Sequence, residues 1–134
     1  MGIWLGAVKP RMLRLVGRKA DGWVPSLGVM SVDELRAGND RIDAAAVAAG
    51  RDPRQIRRIL NPQGMIGETW TPPDEKLRVG YLAGEPLAGP PEWWVRTLTG
   101  FLGAGFDTIV FWPLDPSPRQ VERLAGEVAP QLSG

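Results

Sequence analysis

Short apolar runs alternate with longer amphipathic stretches along the first sixty residues. Ile3-Trp4-Leu5 is an apolar run ended by Gly6, which predicts a short buried strand. Met12, Leu13, Leu15 and Val16 fall on one side of a helix, with Arg11, Arg14, Arg18 and Lys19 on the other. Asp21-Gly22 reads as a turn pair leading into a second strand, Trp23-Val24-Pro25. Ser31 and Glu34 have capping-box spacing and open a long helix through Ala49. Gly50 suits the position just past that helix, and Asp52-Pro53 stops it. Ile56, Ile59 and Leu60 mark a third strand ending near Asn61.

The pattern lapses between Pro62 and Pro90, where Pro and Gly are frequent, so a long loop is expected at about 62–90. Pro91-Glu92 then begins a helix carrying Trp94, Val95, Leu98 and Leu102, closed near Gly103 or Gly105. Asp107 to Trp112 is the clearest strand, with Pro113 as its stop. Ser117-Pro118-Arg119-Gln120 reads as a second capping box with Pro at the first helical position. The last helix sets Val121, Leu124 and Val128 on one stripe and ends near Pro130.

Four strands each followed by a helix place the chain, 1–134, in the α/β class as one domain. Strands separated by helices run parallel, and apolar runs fit burial on both faces. Periodicity leaves two architectures open, a doubly wound sheet or half of a (β/α)8 barrel.

Composition narrows the chemistry. The 134 residues are 43% hydrophobic and 23% charged, as in ordinary globular proteins. No apolar run is long enough for a membrane span and no leader pattern opens the chain, so cytoplasmic residence is the default expectation. With no cysteine there is no disulfide, thiolate ligand or thiol nucleophile. With no histidine there is no His-based triad, and no metal site is expected. The net charge of +1 argues against a nucleic-acid surface, although arginines gather at 11, 14 and 18 and at 51, 54, 57 and 58. Asp33 and Glu34 suit a helix start, and no carboxylates are spaced for acid/base work. Trp4, Trp23 and Trp112 lie on predicted strands and are expected to be buried, Trp93 and Trp94 are adjacent on a helix, and Trp70 lies in the loop.

The segment "IWLGAVKPRMLRLVGRKADGWVPS" resembles the luciferase-like monooxygenase family, in particular its deazaflavin-dependent oxidoreductase branch. "IDAAAVAAGRDPRQIRRILN", "GFDTIVFWP" and "LAGEVAP" follow in the family's order and spacing. Relatives are (β/α)8 barrels of about twice this length, so the resemblance implies half of a TIM-type barrel. The four parallel βα units would be strands five to eight, with the first half of the barrel absent. Since that half carries the family's usual acid/base residues, no residue here inherits a catalytic role.

What the resemblance does assign is part of a cofactor-phosphate site, formed by backbone amides of Ala7, Val8 and Lys9 together with Ser26. Many relatives have smaller residues at the places of Val8 and Lys9. The implied cofactor is the deazaflavin coenzyme F-420 or FMN, and the implied chemistry is hydride transfer to or from an organic substrate. The chain alone is not expected to be competent. The alternative is a non-catalytic half-barrel module. An open half-barrel face implies a homo-oligomer, or assembly with a missing N-terminal half.

Overall fold

The structure, a computed structural model, describes residues 1–25, 30–67 and 87–132. Strand β1 (Trp4–Leu5) leads to helix α1 (Pro10–Lys19), and β2 (Gly22–Trp23) to α2 (Val32–Ala48). A single 3-10 turn, Pro53–Gln55, precedes β3 (Arg57–Leu60) and β4 (Gln63–Ile66). After β5 (Leu87–Gly89) come α3 (Pro91–Gly103), β6 (Thr108–Ile109) and β7 (Trp112–Pro113). The last helix runs through α4 (Pro118–Arg123), a π turn at Leu124–Val128 and α5 (Ala129–Leu132).

All recorded strand pairs are parallel, as helix-separated strands require. Four strands lie in the order β1-β2-β3-β6 and three in the order β5-β4-β7. The two sets share one register. Ile59 opposes Thr108 before the break, and Gln63 opposes Trp112 at the same offset after it. Val110 N–H to the Leu60 carbonyl and Trp112 N–H to the Pro62 carbonyl (both 2.8 Å) bridge the gap. Pro62 has no N–H to give a ladder, which fits the interruption there.

Helices cover one face of this sheet. Trp23 points at Gly38 of α2, where a Cβ would come within 2.6 Å of the indole. Gly64 likewise meets Trp94 of α3. Trp94 stacks edge-on against Phe111, with ring centroids 5.3 Å apart. Leu13, Val16, Leu35, Ile42, Leu60, Ile66, Leu98, Phe101, Phe106 and Val128 complete the core. Side chains alternate along a strand, so Trp4, Gly22, Ile59, Val110 and Trp112 belong to the opposite face. None of these five belongs to the core cluster.

Several sequence expectations are corrected. Gly22 is a strand residue and not a turn residue, because the Trp4 ring lies across it and a Cβ there would sit 2.7 Å from Cδ1. Trp4 and Trp112 are half exposed, since they stand on the face that none of the described helices covers. In α1 the buried stripe is Leu13, Val16 and Gly17, which dock on α2, while Met12 and Leu15 are exposed. The single strand expected from Asp107 to Trp112 is two short pieces, and Pro113 belongs to the second.

Part of the expected loop pairs as β4 and β5; residues 68–86, including Trp70, lie outside the described residues. The second capping box does not form. The Ser117 hydroxyl donates to Asp115 (2.8 Å), and Gln120 is buried at the end of β4. There its amide mimics a strand neighbour, accepting from Ile66 N–H (2.8 Å) and donating to the Ile66 carbonyl (3.3 Å). Of the stripe expected from Val121, Leu124 and Val128, Val128 is buried and Val121 is exposed. The helix passes Pro130 by widening, with Ala129 N–H reaching back to the Leu124 carbonyl. Pro130 cannot bond four residues back and its ring crowds that carbonyl, so a π turn relieves both problems.

Candidate functional site

The β1–α1 turn is built from both sides. Ala7 is buried, and its carbonyl accepts the Trp23 indole N–H (2.9 Å, buried) from the neighbouring strand. Lys9 is the N-cap of α1 in an extended conformation, and Pro10 takes the first helical position, where its missing N–H costs nothing. The Lys9 carbonyl accepts from the Met12 and Leu13 N–H groups (2.9 and 3.0 Å). No side chain caps this helix and no acidic residue lies in its first turn. A helix start without a side-chain cap or an acidic first turn favours an anion through the helix dipole, and the exposed Lys9 ammonium adds charge.

Among the four residues assigned by resemblance, Ala7, Val8 and Lys9 are consecutive in this turn. Ser26 lies outside the described residues. β1 pairs in parallel with β2, so Val24 and Pro25, which follow β2, lie at the same end of the sheet as the Ala7 turn. Val8 is partly exposed beside the turn, not buried beneath it.

A second polar cluster lies between α2 and the end of α3, where β3 and β6 begin. Arg58 is buried and donates to the Asn39 side chain (2.9 Å), the Ile56 carbonyl (2.6 Å) and Asp43. Asn39 donates in turn to the Ala104 carbonyl (2.8 Å), and Asp107 accepts the Arg58 backbone N–H (3.0 Å). Burial pushes the Arg58 guanidinium below its ordinary range, and the Asp43 carboxylate pulls it back. A cavity of about 520 Å³ opens beside this network. Arg58 and Asp43 pair with each other in its wall, and it sits at the N-terminal end of the strands, the end that serves stability in parallel barrels. An arginine inside the apolar stretch Ile56–Leu60 was the only sequence signal for it.

Among the described residues no group of His, Cys, Asp or Glu is arranged to hold a metal. No helix among them is long and apolar enough to cross a membrane. The Asp52 carboxyl is held below its usual value by Arg54, and the Asp115 carboxyl by Ser117; both belong to exposed turns.

Residues 2–87 match the family model for luciferase-like monooxygenase. The phthiodiolone/phenolphthiodiolone dimycocerosates ketoreductase of Mycobacterium tuberculosis is 36% identical over 94 residues, covering 70% of this chain and 24% of that protein. Among solved structures, the coenzyme F-420-dependent tetrahydromethanopterin reductase of Methanopyrus kandleri superposes with a TM-score of 0.76 at 18% identity. That match covers 98% of this chain and 51% of the reductase. An F-420-dependent secondary alcohol dehydrogenase, solved with an F-420-acetone adduct, gives a TM-score of 0.77 at 13% identity, covering 100% and 49%. The chain thus spans about half the length of these structures. With the family match extending over more than half of its residues, and a parallel α/β fold shared with such enzymes, the chain belongs to the luciferase-like monooxygenase family.

Proposed function

We propose that this chain is the second half, strands five to eight, of a (β/α)8 oxidoreductase that uses coenzyme F-420 or FMN. In this reading its β1–α1 turn holds the cofactor phosphate. The observation that carries the reading is the uncapped start of α1 with Lys9 at its N-cap, pinned by the bond from Trp23 to Ala7. In this reading the backbone amides of Ala7, Val8 and Lys9, the Lys9 ammonium and the Ser26 hydroxyl are the donors. F-420 is favoured because two structural neighbours are named as F-420-dependent.

When bound, either cofactor supplies hydride chemistry toward an organic substrate. The residues of this chain orient its phosphate end, and acid/base groups come from the half that completes the barrel. The test is a titration of the chain with F-420 and with FMN, followed by cofactor fluorescence and tryptophan quenching. Saturable binding is expected, weakened about tenfold in Lys9→Met, the size of one lost charge-assisted contact. Absence of binding to both cofactors overturns the reading.

A second reading, a non-catalytic half-barrel module, is favoured by Trp4 and Trp112, which stay half exposed on the sheet face that none of the described helices covers. It expects assembly without cofactor binding.

A further inference from the structure

The cations of this chain are unevenly placed. Of its sixteen Lys and Arg residues, five fall within the first twenty positions, and none of its fifteen Asp and Glu residues does. Three of the five, Arg11, Arg14 and Arg18, are exposed on α1. The helix buries Leu13, Val16 and Gly17, so Arg11, Leu15 and Arg18 stand opposite the core. Arg14, one turn before Gly17, lies on the flank toward α2. Leu15 is 41% exposed among these cations. Among the described residues no ion pair involves the three arginines.

The neighbouring helix continues this surface. Gly17 meets Ile42 and Ala45 of α2, and Arg51, just beyond α2, donates to the Gly17 and Ala20 carbonyls, so the two helices are held side by side. Arg41, Ala44, Val47 and Ala48 of α2 are exposed, Val47 by 66%. Residues 44–50 carry no charge. Most carboxylates of α2 are engaged elsewhere: Glu34 in its capping box, Asp33 with Arg36 and Asp43 with Arg58. Asp40 is left against Arg41 and the three arginines of α1. These outer residues lie on the side of the helices away from the sheet, so a partner that completes the sheet does not cover them.

We propose that the outer surface of α1 and α2 docks on a membrane containing anionic phospholipid, lying against it without crossing. Arginine heads reach lipid phosphates while their stems, with Leu15, Ala44, Val47 and Ala48, rest at the boundary of headgroups and acyl chains. Charge sets the sign of the partner, and the aliphatic residues between the cations set its kind. A nucleic acid would use stacking residues, and this surface holds no aromatic ring. The surface is convex, and the cavity beside Arg58 takes no residue from α1. A soft, flat bilayer fits such a ridge without matching relief.

The experiment is co-sedimentation of the purified chain with phosphatidylcholine vesicles that contain or lack about 30% phosphatidylglycerol. Binding at least about tenfold tighter to the anionic vesicles is expected, with release as salt rises from about 0.1 M to about 0.5 M. The double variant Arg14→Glu/Arg18→Glu, verified as folded by circular dichroism, is expected to weaken that binding at least about tenfold. Arg96→Glu, at an exposed cation on α3, is expected to leave binding at the wild-type level. Equal binding to the two kinds of vesicle overturns the proposal, as does binding that salt leaves unchanged or a folded double variant that binds as wild type. Capture by a DNA duplex or polyglutamate without binding to vesicles also overturns it and makes the surface a site for a soluble polyanion. Vesicle binding needs no cofactor, so failure to bind F-420 or FMN and failure to bind vesicles are separate results.

Discussion

The indole N–H of Trp23 donates to the carbonyl of Ala7 across 2.9 Å, from one strand to the turn that follows its neighbour. Trp23 is fully buried between Gly38 of α2 and Phe106, whose ring centroid lies 5.7 Å away. The core thereby holds the β1–α1 turn, for which phosphate binding is proposed above. Trp23→Phe keeps most of the apolar bulk but leaves the Ala7 carbonyl without its donor. A loss of about 1–3 kcal/mol in urea unfolding is expected, together with weaker cofactor binding. Unchanged stability and binding would show that the bond does not hold the turn.

Gly17 marks where α1 meets α2. A Cβ there would sit 2.3 Å from the Ile42 carbonyl and 2.9 Å from Ala45 Cβ. Gly17→Ala raises helix propensity yet forces the helices apart, so a net loss of about 1–3 kcal/mol is expected as a lower urea midpoint. A rise in the midpoint would contradict this packing.

Arg58 holds Asn39, Asp43 and the Ile56 carbonyl together. Arg58→Met fills similar space but leaves the buried Asn39 side chain short of a partner. Because Asp43 is half exposed and regains water, the expected cost is about 2 kcal/mol, below that of a fully buried pair. A double-mutant cycle with Asp43→Asn measures the coupling directly.

Glu34 completes the capping box with Ser31, receiving the Ser31 N–H (2.8 Å) while its own N–H donates to the Ser31 hydroxyl (3.2 Å). The backbone bond from Ser31, then its side chain, lowers the Glu34 pKa below the ordinary 4.5. A carboxyl depressed by folding contributes stability that is present above its unfolded value and lost as pH falls through the folded one. Thermal melts of Glu34→Gln are therefore expected to lose less stability than wild type on acidification through and below pH 4.5. Equal slopes would remove the linkage.

Asn61 offers the opposite sign. With Oδ1 buried and without a donor, Asn61→Leu is expected to raise the melting temperature of the isolated chain, by about 1 kcal/mol of unfolding free energy. A lower melting temperature would mean that the amide already has a partner in solution.

Much of the local structure was legible in the chain itself. The Ser31–Glu34 box, Gly50 with positive φ (71°) after α2, Pro10 and Pro91 at helix starts and the parallel β–α order all follow from neighbours in sequence. These features depend on backbone geometry within a few residues, where propensity and capping act.

What only the tertiary structure decided was which polar side chain found which distant partner. Gln120 looked like the second half of a capping box, but the end of β4 offered its amide a buried N–H and carbonyl at once. Arg51 stands in sequence with the arginines at 54, 57 and 58, yet it donates to the Gly17 and Ala20 carbonyls at the end of α1 (both 2.8 Å). Trp4, Trp23 and Trp112 look alike as strand tryptophans, and only Trp23 faces the helices. An apolar run states that a side chain avoids water; it does not state which face of the sheet another element covers. That depends on strand register and helix docking across long separations, and here it decides that Trp23 is buried while Trp4 and Trp112 are half exposed.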